Sequence, residues 1–390
     1  MTSQRQIYLD NSATTRISDE ALAKYNEVSR NLFGNPSSLH SLGLMAEKEI
    51  DKARAAILSS LSAKDSTVIF TASGSESNNL AIIGRALSKE RYKKGAKIIT
   101  SAGEHASVSE PIARLRDAGF KTAEIPTKNG RVDLEALERE MTPDVILVSI
   151  MLVNNETGAL YDLAAVSKIM RKNSKEALLH VDATQAYCKV KFTKQSIFAD
   201  MITISSHKIE GPKGVGALVV DNKVLSSHGL SPLIFGGGQE GGLRSGTENV
   251  PAIAAFGEAV RIGYAELSEN EKKLLSLRSY LVDRLRENLP SVSITVPEKF
   301  APHIVNITLP KIKSETMLHY LSSLGIYVSS GSACSSNFSH KSSALIAYGR
   351  SESEADFSIR ISLSKRNTEE DIDALIDGLM SGISRLARVK

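Results

Sequence analysis

Several polar residues sit where an apolar run ends. Leu178-Leu179-His180-Val181 gives way to Asp182-Ala183-Thr184-Gln185, and Met201-Ile202-Thr203-Ile204 to Ser205-Ser206-His207-Lys208. A lone Asp after a strand is ordinarily a helix cap, and a lone Lys there must be exposed or paired. A third role exists for the lysine, because an amine of lowered pKa condenses with aldehydes. Asp182 and Lys208 are 26 residues apart, one strand-helix-strand unit. That spacing brings both to the same sheet edge. An Asp on a pyridine nitrogen with a Lys on an aldehyde is the pair that pyridoxal phosphate requires.

Further residues are candidates for the same edge. Ser73-Gly74-Ser75 lies between a strand and a helix, where small residues expose backbone N–H groups to a phosphate. No Walker lysine follows, which argues against a nucleotide loop. His105 follows Lys97-Ile98-Ile99-Thr100 and is either a loop histidine or an imidazole stacked on a ring. Asn155 is a turn residue or a donor to a ring oxygen. Arg360, inside Phe357-Ser358-Ile359-Arg360-Ile361-Ser362, pairs with a local acid or grips a substrate carboxylate. The Gly-rich stretch 236–247 around Arg244 and Thr247 is a flexible connection or a second phosphate contact. Cys334 stands among Ser, Gly and Ala with nothing apolar to bury it, as a nucleophilic thiol would. Cys188 reads as structural, on a helix-like apolar stretch.

The elements that must position these groups alternate. Apolar runs at 67–70, 97–100, 145–150, 177–181, 201–204 and 216–220 are separated by helix-like stretches such as 107–118. That pattern predicts an α/β fold with a mainly parallel sheet. After residue 250 it changes: a long helical stretch to 289, strands at 304–308 and 357–362, and an amphipathic helix at 369–386. The expected division is a large domain over 15–258 and a smaller α+β domain from 1–14 and 259–390, the latter carrying Cys334. The basic run 89–97 reads as a solvated helix end.

Composition narrows the classes. The 390 residues include 48 basic and 44 acidic side chains, a formal net charge of +4, and only two cysteines. A disulfide framework and a Cys-rich metal site are excluded, and no nucleic-acid or membrane partner is announced. The longest apolar run is far short of the roughly 20 residues a membrane helix needs. A strand-like run starts at Ile7, leaving no room for a signal peptide. A cytoplasmic protein is the expectation.

Taken in order, Tyr8 to Thr15, Phe33 to Ser38, Phe70 to Leu80, Glu104-His105, Val153 to Gly158, His180 to Gln185, Ser206 to Gly214, Gly236 to Thr247, Ser329 to Ser335 and Ser358-Ile359-Arg360 resemble the cysteine desulfurases of the NifS/IscS group. These belong to the class V aminotransferase family of fold-type I pyridoxal-phosphate enzymes. The resemblance runs over essentially the whole chain. It implies a seven-stranded, mainly parallel sheet between helices and a pyridoxal 5'-phosphate cofactor held on Lys208. It further implies Asp182 on the ring nitrogen, Gln185 and Asn155 near the ring oxygen, and His105 stacked on the ring and moving protons. Gly74, Ser75, Ser205 and His207 would hold the phosphate, with Thr247 reaching in from the partner of a homodimer. Asn155 and Arg360 would fix the carboxylate of L-cysteine. Cys334 would take its sulfur as a persulfide, for an iron–sulfur scaffold or tRNA-thiolation acceptor. The stretch from Cys334 to Gly349 resembles the long-loop members that serve varied acceptors. A selenocysteine lyase or another fold-type I enzyme is the alternative, though an aminotransferase needs no nucleophilic Cys.

Overall fold

A computed structural model describes residues 5–88, 95–174, 176–330 and 342–386. Its centre is a seven-stranded sheet in the order Ser66–Thr71, Gly216–Asp221, Met201–Ser205, Leu178–Asp182, Val145–Met151, Lys97–Ser101, Lys121–Ile125. Gly216–Asp221 runs antiparallel to both neighbours, and the other adjacent pairs are parallel. The strand Val145–Met151 is buried at every residue, as its unbroken apolar run requires when helices cover both faces.

Direction matters more than order. Leu178–Asp182, Met201–Ser205, Ser66–Thr71, Lys97–Ser101 and Val145–Met151 all end at one edge, where the antiparallel Gly216–Asp221 begins. In such sheets ligands bind beyond the carboxyl ends of the strands.

A second sheet orders Ser293–Thr295, Ile304–Thr308, Ser358–Ser362 and Ser329–Ser330, all antiparallel. It builds a separate core with the helices Leu267–Asn288, Ser314–Ser323 and Glu369–Leu386, around Leu281, Val305, Ile359 and Leu379. The helix Val250–Ala265 continues past residue 258, and its Ala259 and Val260 pack into the larger core. Ile7–Tyr8 pairs in parallel with Ile326–Tyr327, so Ile7 and Leu9 lie in the second body.

Two expectations are corrected. Cys188 is not helical: it occupies a turn with φ 55°. Burial pushes its thiol up to about 12, in keeping with a structural role. Lys97 is not part of a solvated helix end. It is a buried strand residue whose Nζ donates to Glu140 Oε2 at 2.6 Å, and residues 89–94 of that run lie outside the described residues.

Candidate active site

At the sheet's carboxyl edge a cavity of about 240 Å³ opens between the two bodies. Asp182, Gln185, Ser205, His207 and Lys208 line it from one pair of neighbouring strands, and Gly74, Ser75, His105 and Asn155 from the turns beside them. Arg360 enters from the second sheet. Ten of the residues singled out in the sequence therefore meet. Thr247 is exposed and is not part of this lining. Cys334 lies outside the described residues.

Asp182 is held from two sides. Asn78 Nδ2 donates to its Oδ2 at 2.8 Å, and the backbone N–H of Thr184 donates to Oδ1 at 2.9 Å. Such bonds fix the carboxylate plane. Beneath it on the same strand, His180 is buried between Ser149 Oγ at 2.8 Å and Thr203 Oγ1 at 2.9 Å. Burial pushes this imidazole down to about 4, so it is neutral packing rather than a counter-ion.

Lys208 ends a single 3₁₀ turn, Ser206–Lys208, that follows its strand directly. Its Nζ donates to the backbone carbonyls of Ser12 and Ala13 at 2.5 and 2.7 Å. The N-terminal segment thus orients the amine. His207 turns the other way, with Nδ1 3.1 Å from Thr14 Oγ1, and burial followed by the charge of Lys208 pushes it down to about 4. A neutral His207 can donate one ring proton to an anion.

The turn 73–75 begins the helix Gly74–Ala86, and Ser73 Oγ caps it by accepting from the Glu76 N–H at 3.1 Å. The N-terminus of that helix therefore points at the cavity with the partial positive charge that suits an anion. Arg244 from the Gly-rich stretch pairs with Glu76 at 2.9 Å, tethering that loop beside the same turn.

His105 caps the helix Ala106–Asp117. Its Nδ1 accepts from the Ser107 N–H at 3.1 Å. A backbone N–H can only donate, so in neutral His105 the proton resides on Nε2. The preceding Glu104 is buried, accepting from Ser101 Oγ and from the Met151 N–H at 2.9 Å. Burial pushes its carboxyl up to about 8.

Arg360 pairs with an acid, as one of its two expected roles requires, and it also reaches the cavity. Nη2 donates to Asp10 Oδ1 at 2.9 Å, Nη1 donates to the Asn155 carbonyl at 3.0 Å, and the side chain still lines the cavity. Its Nε is buried without a partner.

Ser12, Ala13, Asn78, Ser107, Met151 and Thr184 also line the cavity and were not assigned from the sequence. Asn78 carries a usable signal, a buried amide four residues into a helix otherwise packed with Leu80, Ala81 and Ile82. The Ser12 and Ala13 contacts use backbone carbonyls, which no side-chain pattern encodes.

These residues suit a phosphorylated aromatic aldehyde. Ser205 Oγ, Gln185 Oε1 and Arg360 Nε are buried at the cavity with no partner. A helix N-terminus, a fixed carboxylate and a lysine amine surround them.

A site of this plan, at this edge of such a sheet, defines a class-V aminotransferase, and the chain belongs to that family: its family model, "Aminotransferase class-V", matches residues 7–375. Members of the family are pyridoxal-phosphate enzymes. Within it the chain belongs with the cysteine desulfurases. It is 40% identical to "Cysteine desulfurase IscS 1" of Archaeoglobus fulgidus over 97% of each chain. It is 35% identical to "Cysteine desulfurase IscS" of Methanosarcina thermophila over 99% of this chain and 94% of that one. Among solved structures, a "NIFS-LIKE PROTEIN" superposes with a TM-score of 0.89 at 37% identity, covering 97% of this chain and all of the other. The structure "SspA in complex with cysteine" superposes with a TM-score of 0.79 at 30% identity over 93% of this chain and all of the other.

Proposed function

We propose that this protein is a pyridoxal-phosphate-dependent L-cysteine desulfurase, and that the juxtaposition of Lys208, Asp182 and Arg360 at one cavity carries the reading. When bound, pyridoxal phosphate supplies an aldehyde for the cysteine amine and a ring that withdraws electrons from Cα. Lys208 would hold the aldehyde. Asp182, braced by Asn78 and Thr184, would keep a proton on the ring nitrogen. Gly74, Ser75, Ser205 and His207 would take the phosphate. His105 would lie against the ring and move a proton through Nε2, and Gln185 would contact the ring oxygen side.

Arg360 and Asn155 bind the substrate carboxylate and orient Cα. The Cys334 thiolate attacks the substrate sulfur: an S–S bond forms, the substrate C–S bond breaks, and its electron pair is protonated to give alanine. The persulfide sulfur then goes to an acceptor protein, an iron–sulfur scaffold or a tRNA-thiolation enzyme. The working form is a homodimer, supported by the exposed Phe33, Leu39 and Phe235. Thr247 would complete the phosphate site of the partner. The proposed domain division is a large domain over 15–258 and a smaller one from 1–14 and 259–390, a reading supported by the two hydrophobic cores. No helix among the described residues is long and apolar enough to cross a membrane, and the cytoplasm is the proposed compartment.

The test is purification with pyridoxal phosphate and assay of alanine and sulfide from cysteine. Cys334→Ala should lose both products and keep the cofactor absorbance. A protein that takes up no cofactor with Lys208 intact would overturn the reading.

A further inference from the structure

The segment 331–341 that bears Cys334 is flanked by two described anchors. On one side, Ser329 and Ser330 pair with Arg360 and Ile359. On the other, Ser342 is buried, and its Oγ donates to Glu156 Oε2 at 2.5 Å. Glu156 directly follows Asn155, whose carbonyl accepts from Arg360. Both ends of the segment are thus fastened to the pair that would hold the substrate carboxylate.

Capping alone does not explain Ser342. Its oxygen accepts from the Leu345 N–H at 3.1 Å to cap the helix Ser343–Tyr348, while its proton is spent on a buried carboxylate. A carboxyl in the interior is unfavourable without hydrogen bonds to it, and burial pushes Glu156 up to about 7. The same helix is seated elsewhere too. Ala344 packs so closely on Gly103 that a Cβ there would come within 2.9 Å of the Ala344 Cα, and Thr127 Oγ1 donates to the Ala347 carbonyl at 3.1 Å. Gly103 belongs to the turn that presents His105.

We propose that Glu156 is a positioning residue: through Ser342 it fixes the C-terminal root of the Cys334 segment beside Asn155 and Arg360, so that the thiol is delivered to a substrate already held by its carboxylate. The proposal rests on the reading of Cys334 as the nucleophile. Glu156 does not line the cavity where substrate and cofactor would lie. Its loss therefore lowers the rate of sulfur transfer and leaves cysteine binding alone.

The experiment compares Glu156→Ala, Glu156→Gln, Ser342→Ala, Ser342→Asp and the double alanine variant in the holoenzyme. Glu156→Ala and Ser342→Ala should each lower kcat about tenfold with KM for cysteine within about twofold, the size of one lost hydrogen bond to a charged group. The double variant should be no worse than the worse single. Glu156→Gln keeps an acceptor for Ser342 and should stay within about threefold of wild type. Ser342→Asp keeps the helix cap but sets a second carboxylate against Glu156, and should be as impaired as Ser342→Ala. A second readout needs no turnover: tryptic cleavage after Arg350, just past the helix Ser343–Tyr348 that Ser342 caps, should quicken severalfold in Glu156→Ala without cofactor. Wild-type kcat and cleavage in Glu156→Ala would overturn the proposal, as would rescue by Ser342→Asp or failure of Glu156→Gln. Cys334→Ala separates the two readings. If it keeps full activity the desulfurase mechanism fails, while the cleavage assay still reports on the anchor.

Discussion

Gly216 opens the antiparallel strand opposite Thr71 and Ser205, directly under the turn that would cradle the phosphate. A Cβ on it would lie 2.6 Å from the Ser73 carbonyl carbon and 2.8 Å from the Gly74 nitrogen, where ordinary contact begins near 3.4 Å. In Gly216→Ala the turn must therefore retreat by about 0.8 Å, because both colliding atoms are backbone and cannot rotate away. A displacement of that size takes a hydrogen bond of ordinary length past its useful range. Losing one charge-assisted backbone bond to the phosphate costs roughly 1.5–3 kcal/mol, or about ten- to a hundredfold in affinity. Overpacking also costs fold stability by roughly 1–3 kcal/mol. The assay is titration of cofactor-free protein with pyridoxal phosphate by absorbance, beside urea unfolding of the same samples. Val219→Ala, buried in the same strand, is the control: it removes stability by leaving a void and should leave cofactor affinity unchanged. Cofactor affinity in Gly216→Ala within twofold of wild type would refute the reasoning, since the turn would then be free to move without consequence.

Arg360→Lys should lower kcat/KM for cysteine about ten- to a hundredfold, because one ammonium cannot serve both Asp10 and the Asn155 carbonyl and still face the substrate; steady-state kinetics check it. Glu104, pushed up to about 8 by burial, keeps its proton in the folded chain between about pH 4.5 and 8 while the unfolded chain has released it. The folded state binds more protons there, so stability should fall as pH rises through that window. Urea melts of both proteins at pH 5, 6.5 and 8 should differ in slope by this contribution, on the order of a few kcal/mol across the window, with Glu104→Gln losing less stability as pH rises than wild type, while Glu156, His180 and His207 contribute equally to both. Asn78→Ala should retain the cofactor while lowering kcat about tenfold, as Asp182 loses one of its two braces; cofactor content by absorbance and kcat together test it.

The strands were legible because burial on both faces writes itself as unbroken apolar runs, and Val145–Met151 is the clearest case. The edge strand Lys121–Ile125 was not, since its burial is partial and its sequence mixes Lys, Thr and Glu. Asp182 and Lys208 were readable as site residues because each is a polar residue placed where a strand's apolar run stops. Cys188 was misplaced because an apolar neighbourhood looks alike in a helix and in a buried turn, and only φ distinguishes them. Arg360 left two options open, and its contact with Asp10 spans 350 positions, a pairing that no local pattern contains. Glu104 and Glu156 were passed over for a related reason: as loop acids they look solvated, and their burial comes from remote chain.

Residues 7–15 reach across the finished molecule. Ser12 and Ala13 steady the Lys208 amine, Asp10 holds Arg360, and Ile7–Tyr8 joins the strand at 326. During synthesis this segment must therefore wait for the strands Ile326–Tyr327 and Ser358–Ser362 before it can settle. Contacts so distant in sequence form slowly, and Lys208 lacks its settled surroundings until they do. A ribosome that stalls before residue 358 leaves a chain whose large sheet can form but whose amine is not held in place. Competence to carry the cofactor is in this way tied to the arrival of the strand Ser358–Ser362.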